Sequence, residues 1–551
     1  MDIWPTQFPD RYAIGTNMKT AKKYHRCICS TRALVAFALA LAAVMPGCGG
    51  GGGSAPAVTP IADPTPPTPV IGQAWLGFGG DAQHSAIGGI ATQPITRIVW
   101  RTPVDLAPQY SGTALLIHYG SPVISARNTV LVPVKTTAAG GFRIEARAGA
   151  SGAQIWSAAT DYVLPAGNYW TPSYNLTLTT SNRVYAPGAG GKLFFRDNVD
   201  SATGSLQTAV FFGAANYAAA TAAFDASIFI NTPLTSDAAG NVFFGFIATG
   251  TNPAGLVSGI ARVSADGTGT WTGAAAAAGV SSMEKVAMNS APALSMDSRT
   301  LYVAVSGGAA SGRASGYLLA LDSATLATRG KIFLADPATA APAWLSESST
   351  SSPMVGSDGD VYFGVLESNA PAHNFRGWLL HFDAALTRTK TPGSFGWDDT
   401  PSMVPASMIP GYSGGSAYLL MSKYNNYGGI GSGDGKNRLA ILDPNQSQVD
   451  SISGDAVMKE ILTILGPTPD PGYPGGVTEW CINTAAVDPA TRSILANSED
   501  GYLYRWDLAT NRLSERIQLT SGLAESYTPT AIGPDGAVYA INNAVLFSVG
   551  R

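Results

Sequence analysis

Ser121-Pro122-Val123-Ile124-Ser125-Ala126-Arg127-Asn128-Thr129-Val130-Leu131-Val132-Pro133-Val134 is the first of a series of similar passages in this chain. A small residue, a proline and a small or apolar residue open it. A two-residue turn, Arg127-Asn128, leads into a β-branched run. Residues 138–141 turn again, residues 142–148 alternate apolar and polar, Ala150-Ser151-Gly152 turns, and residues 154–158 close the unit with Ile155-Trp156. Short alternating runs bounded by turn residues read as four strands. The opener returns as Thr171-Pro172-Ser173, Thr232-Pro233-Leu234, Ala291-Pro292-Ala293, Ser352-Pro353-Met354, Thr400-Pro401-Ser402 and Thr528-Pro529-Thr530. A degenerate copy, Asn483-Thr484-Ala485-Ala486, occupies the widest gap.

Self-similarity at a period of about fifty residues means that one supersecondary unit is stacked around or along an axis. Four-stranded units of this kind are the blades of a β-propeller. The expected fold is all-β: eight four-stranded antiparallel blades. The last unit ends after its third strand, and residues 96–104, with Ile98-Val99-Trp100, precede the first unit as an unmatched strand. That N-terminal strand is expected to complete the last blade and close the ring, which removes the exposed edges of an open sheet. Between Pro401 and Ala485 lies more sequence than one blade needs. Residues 453–476 read as an insertion, with Met458-Lys459-Glu460-Ile461-Leu462 as a short helix before a Pro-rich loop. The Gly-rich stretch 424–435 lacks a Walker lysine and opens no helix, so it reads as a flexible hairpin tip and not as a phosphate cradle.

Of the 551 residues, 45% are hydrophobic, only 13% are charged and 63 are Gly. That composition suits a tightly turned all-β protein and excludes a disordered chain. The net charge is −4 with no basic stripe, which argues against a nucleic-acid partner. Residues 1–47 read as a leader: a basic region with Lys19, Lys22, Lys23, Arg26 and Arg32, then an apolar core at 33–45 of signal-peptide length. Val44-Met45-Pro46-Gly47-Cys48 resembles a bacterial lipobox, although Met45 and Pro46 depart from the usual pattern. The resemblance implies lipidation of Cys48. Residues 48–72, a Gly run followed by Pro, Thr and Ala, read as a flexible tether, and residues 73–551 as the propeller. The expectation is a monomeric lipoprotein of the bacterial cell envelope, in the outer membrane and facing the periplasm or the cell surface. Cys481 is the single cysteine of the folded part, so no disulfide forms within it, and the five His show no zinc-ligand spacing.

The entry stretch Trp75-Leu76-Gly77-Phe78-Gly79-Gly80-Asp81-Ala82-Gln83-His84-Ser85 and the blade pattern resemble the pyrroloquinoline-quinone-type propeller family. Asp322-Ser323-Ala324-Thr325 and Asp507-Leu508-Ala509-Thr510 are similar to the Asp-x-x-Thr-Gly turn of that family, without its Gly. The resemblance covers residues 75–551 and implies one of two roles. Quinoprotein dehydrogenases would bring a pyrroloquinoline quinone (PQQ) cofactor and calcium, but they carry an adjacent-cysteine disulfide that this chain lacks. Envelope lipoprotein propellers, among them the β-barrel assembly lipoprotein, are non-enzymatic.

Propellers bind ligands at the mouth of the central channel, where the residues preceding each innermost strand converge. Those residues here include Trp170, Asn231, Asn289, Trp397, Asp398, Asp399, Trp480, Asn483 and Tyr527. Aromatic faces with a few amides and carboxylates suit a small organic ligand or a sugar. Asp398 or Asp399 would be the general base of a dehydrogenase. Cys481 reads as a buried core residue, because no His lies near it in sequence, and His381 reads as structural. The leading expectation is binding or scaffolding of an envelope partner through the mouth. A PQQ- and calcium-dependent oxidoreductase and a carbohydrate-binding propeller are the alternatives.

Overall fold

Eight short innermost strands surround a central channel: Val123–Ile124, Thr177–Leu178, Thr235–Ser236, Ala293–Leu294, Met354–Val355, Ser402–Pro405, Ala486–Asp488 and Ala531–Ile532. The computed structural model describes residues 72–111, 114–115, 118–165, 171–307, 313–346 and 351–551. The leader, Cys48 and the tether up to residue 71 lie outside them, as does Trp170. The described residues belong to one unit, Pro69–Arg551.

The architecture is an eight-bladed propeller. Blade one comprises Val123–Ile124, Thr129–Thr137, Gly140–Ala148 and Gln154–Thr160 in sequence order, as the repeat predicts. Middle strands are sandwiched between neighbouring blades, so both faces are apolar. Val361–Val365 and Trp378–Phe382 are buried at every position. Outer strands face water on one side and alternate, as in Arg512–Gln518. The ring closes as expected. Arg97–Pro103 pairs antiparallel with Val545–Gly550, from Arg97 opposite Gly550 to Pro103 opposite Val545. The Trp100 indole then reaches blade one and donates to the Gly149 carbonyl at 2.6 Å. Gly152, at φ +70°, lies under that ring, where a Cβ would come within 2.6 Å of the indole.

The expected helix at 458–462 is instead part of a strand. Ala456–Leu465 pairs with Arg438–Val449 and is the fourth strand of blade six. Asp450 shapes the turn between them, its carboxylate accepting the Ile452 and Ser453 N–H groups. A five-residue amphipathic run is too short to hold a helix alone, and the open edge of the neighbouring strand offers a ladder. The Gly-rich stretch 424–435 is a hairpin connection, but an anchored one. The Asn374 amide donates to Asn426, and its oxygen accepts the Ser432 N–H.

The opener has a physical reason. In five of the openers the hydroxyl bonds the entry of an adjacent blade. Thr171 donates to the His118 carbonyl at 2.9 Å, Ser352 accepts the Ala291 N–H at 2.9 Å and Thr400 accepts the Ser352 N–H at 2.9 Å. Thr484 donates to the Thr400 carbonyl, and Thr528 to that of Tyr119 at 3.1 Å. A proline follows four of these hydroxyls, all but that of Thr484, and carries no N–H of its own to be satisfied. Thr400→Val keeps the shape but leaves the buried Ser352 N–H unmatched. The expected loss is about 1–3 kcal/mol in urea unfolding.

The entry stretch lies at the centre. Trp75 and Ile124 exchange backbone bonds at 2.9 and 2.8 Å. The carbonyls of Leu76, Ala82, Gln83, Ser85 and Ala86 then accept the N–H groups of Leu178, Leu294, Val355, Met403 and Val487 at 2.7–3.0 Å. One segment thus ties the innermost strands of six blades. It doubles back at Gly79 and Gly80, both at positive φ; a Cβ on Gly79 would lie 2.9 Å from the His84 Cα. His84 is fully buried and bonds the Pro353 carbonyl through Nδ1 at 2.7 Å. Burial lowers its pKa from 6.5 to about 4. The unfolded chain therefore takes up this proton at higher pH than the folded one, and stability falls as pH drops from about 6.5 to 4 but is unaffected above. The full effect is about 3 kcal/mol. Urea midpoints at pH 7 and 4.5 are expected to diverge less in His84→Gln than in the native chain.

Candidate functional site

The entry segment closes the channel from below, and Phe78 forms the floor of its mouth. Prolines of three openers, Pro172, Pro233 and Pro529, line the wall with Tyr119, Asn175, Asn289, Asn483 and Tyr527. The cavity they enclose is about 10 Å³, room for about one water. Two buried polar atoms on this wall, Asn175 Nδ2 and Asn483 Oδ1, have no hydrogen-bond partner among the described residues.

A chemically dense cluster lies against Tyr527. The connections into blades seven, eight and one carry Cys481, Glu525 and His118. These blades adjoin around the closed ring, so residues distant in sequence meet. His118 Nε2 lies 3.0 Å from Glu525 Oε2. Cys481 Sγ lies 3.9 Å from Glu525 Oε1. One ligating atom from each of the three falls within 4.8 Å of the others. His118 stacks on Tyr527 at 4.1 Å and 25°. The Asn483 amide donates to the Tyr527 hydroxyl at 2.7 Å, and the Tyr527 N–H to Glu525 at 2.7 Å. Burial pushes the Cys481 thiol well above its usual pKa, and the Glu525, Glu479 and Glu499 carboxylates push it further. It is a neutral thiol at pH 7.

Of the residues singled out in the sequence, Asn289, Asn483 and Tyr527 line this cavity. Asp399 is buried and bonds the Ser422 hydroxyl at 2.6 Å. Burial raises its pKa to about 7. Lys423 follows Ser422 and is also buried, its ammonium 5.6 Å from the Tyr527 ring. Asp398 sits at φ +54° and offers its carbonyl to Asn483 at 3.3 Å. Asn231 is a clasp: its amide donates to Val286 at 2.9 Å and its carbonyl accepts the Asn289 N–H at 2.9 Å, joining blades three and four. Trp397 packs edge-on against Phe375 at 5.3 Å. Trp480 is core, its ring edge-on to Tyr504 at 5.7 Å. His381 is structural, bonded to Asp360 at 2.9 Å and stacked on Tyr362.

The grouping of Cys481 with a histidine escapes sequence reading, because His118 comes from the far end of the folded chain. The available signal was positional: His118 immediately precedes the rim residue Tyr119, while Cys481 and Glu525 fall inside two other rim stretches.

No family model matches the chain, and no curated protein is similar to it. Among solved structures it is similar to a europium-containing methanol dehydrogenase. The TM-score is 0.54 at 10% identity, over 85% of this chain and 89% of that one. A quinohemoprotein alcohol dehydrogenase from Comamonas testosteroni gives a TM-score of 0.48 at 11% identity, over 87% of this chain and 81% of that one. The first likeness shows that the two chains share a fold.

The described residues do not fit a quinone at the mouth. A cofactor of that size needs roughly 300 Å³ or more, against about 10 Å³ above Phe78. Calcium asks for six to eight oxygens, while the cluster of His118, Cys481 and Glu525 supplies a single carboxylate. Pyrroloquinoline quinone with calcium or a lanthanide is therefore expected to leave the melting temperature unchanged. A rise of several degrees at saturating ligand would refute the dimensional argument.

Proposed function

We propose that this protein is an enzyme acting on a small polar organic molecule at the channel mouth, and not a protein scaffold. The observation that carries the reading is the clustering of His118, Glu525 and Cys481 around Tyr527, which itself lines the channel cavity. An acid–base pair, a thiol and a phenol at one opening are a reactive set; a docking face for another protein has no need of them. The shared fold with a methanol dehydrogenase supports an oxidoreductase class. The dimensions of the mouth are what stands against the quinone-dependent form of it. A sugar is one of the polar molecules that the tyrosines and amides of the wall suit.

The test is a thermal-shift and turnover screen of the detergent-solubilised full chain against small alcohols and aldoses. An artificial electron acceptor is present, and each substrate is run with and without quinone and metal. Binding raises the melting temperature by mass action. The expected hit is weakened at least tenfold in Asn483→Ala and Tyr527→Phe, with the apo melting point little changed. If no small molecule shifts the protein or turns over, the enzyme reading fails and the envelope-scaffold reading takes its place.

We also propose that Cys48 anchors the protein to a membrane of the bacterial envelope. The leader, the lipobox-like Val44-Met45-Pro46-Gly47-Cys48 and the tether support this. Labelled palmitate is expected to enter the native chain but not Cys48→Ser, which moves to the soluble fraction.

A further inference from the structure

We propose that His118, Cys481 and Glu525 are ligands for one borderline divalent cation of the zinc class at the channel mouth. The proposal rests on the reading of that mouth as the functional site and names the inorganic group it would use.

The donor set points to the metal. Imidazole nitrogen, thiolate sulfur and carboxylate oxygen are the protein ligands of zinc, and three of them with an open fourth position is the catalytic arrangement. A thiolate among the donors selects against hard cations such as calcium and magnesium. The geometry is nearly assembled. Ligating atoms of the three residues lie within 4.8 Å of one another, and His118 Nε2 already sits 3.0 Å from Glu525. Zinc–ligand bonds of about 2.0–2.3 Å place neighbouring donors roughly 3–4 Å apart, so small side-chain adjustments complete the shell.

The surroundings hold the ligands in place. Tyr527 stacks on the imidazole, and its N–H bonds Glu525 Oε1. The Ser526 hydroxyl donates to the Cys481 carbonyl at 2.8 Å. Metal ligands are commonly oriented by such outer partners. The His118 and Glu525 side chains are 8% and 9% exposed, so the three donors are held largely out of water. Asn483, 1% exposed, donates its amide to the Tyr527 hydroxyl, and its Oδ1 has no partner among the described residues.

The experiment titrates the full chain, reduced and metal-stripped in detergent, with cobalt(II) as the spectroscopic probe. The expected result is saturation at one equivalent, with a thiolate-to-cobalt charge-transfer absorption that zinc displaces. Cys481→Ser abolishes the band, His118→Ala and Glu525→Gln weaken uptake at least tenfold, and Cys481→His retains uptake without the sulfur band. Circular dichroism melts of each apo variant check folding, and the Cys481→His result stands even where another variant folds poorly. The proposal is overturned if the native chain shows no saturable uptake, or if uptake persists unchanged in both Cys481→Ser and His118→Ala. No substrate enters this measurement. A mouth that takes cobalt but turns nothing over would sink the enzyme reading alone.

Discussion

The unpaired inner edge of each blade is the constraint on which this structure depends. A four-stranded blade satisfies its backbone everywhere except along its first and last strands. At the rim, water serves the outer edge. At the axis, eight first strands crowd together where water has little room. Three devices answer this. Innermost strands are mostly two residues long, which keeps the unpaired edge short. Serine and threonine hydroxyls hand bonds from one opener to the next. The entry segment supplies carbonyls to innermost N–H groups of several blades in turn. The ring of blades and the plug inside it therefore form one hydrogen-bonded object.

The same device shapes the mouth. Because backbone fills the lower channel, the well above Phe78 ends blind and shallow. The volume left here is on the scale of one solvent molecule. Whatever this mouth binds is held at the opening and not deep on the axis. Closure of the ring matters as much. Blade eight is completed by the N-terminal strand, so blade one stands beside it, and the connections that carry His118, Cys481 and Glu525 become neighbours.

Much of the architecture was legible in the sequence, because turns, strand cores and openers are local signals that repeat. Four strands of blade one and the closing strand around Ile98-Val99-Trp100 fell where the pattern put them. Residues 458–462 did not. A short amphipathic run carries no local mark of strand or helix, and only the partner strand Arg438–Val449 settles it. The mouth was legible in outline. Residues before innermost strands do converge, and Asn289, Asn483 and Tyr527 line the well. Position alone did not say which way each side chain turns. Trp480 turns into the core and Asn231 clasps two blades. The meeting of His118 with Cys481 depends on ring closure, which no local window contains.

The entry segment also governs when the molecule can come into being. It is made before the blades it ties, so the bonds it must form lie with residues made much later; the Ala86 carbonyl, for instance, accepts the Val487 N–H. Until the final blades exist, the opening segment has no partners and the early blades keep an unfilled axis. Contacts so distant in sequence make folding slow and strongly cooperative. The chain is consequently committed to remaining unfinished until its last residues are released.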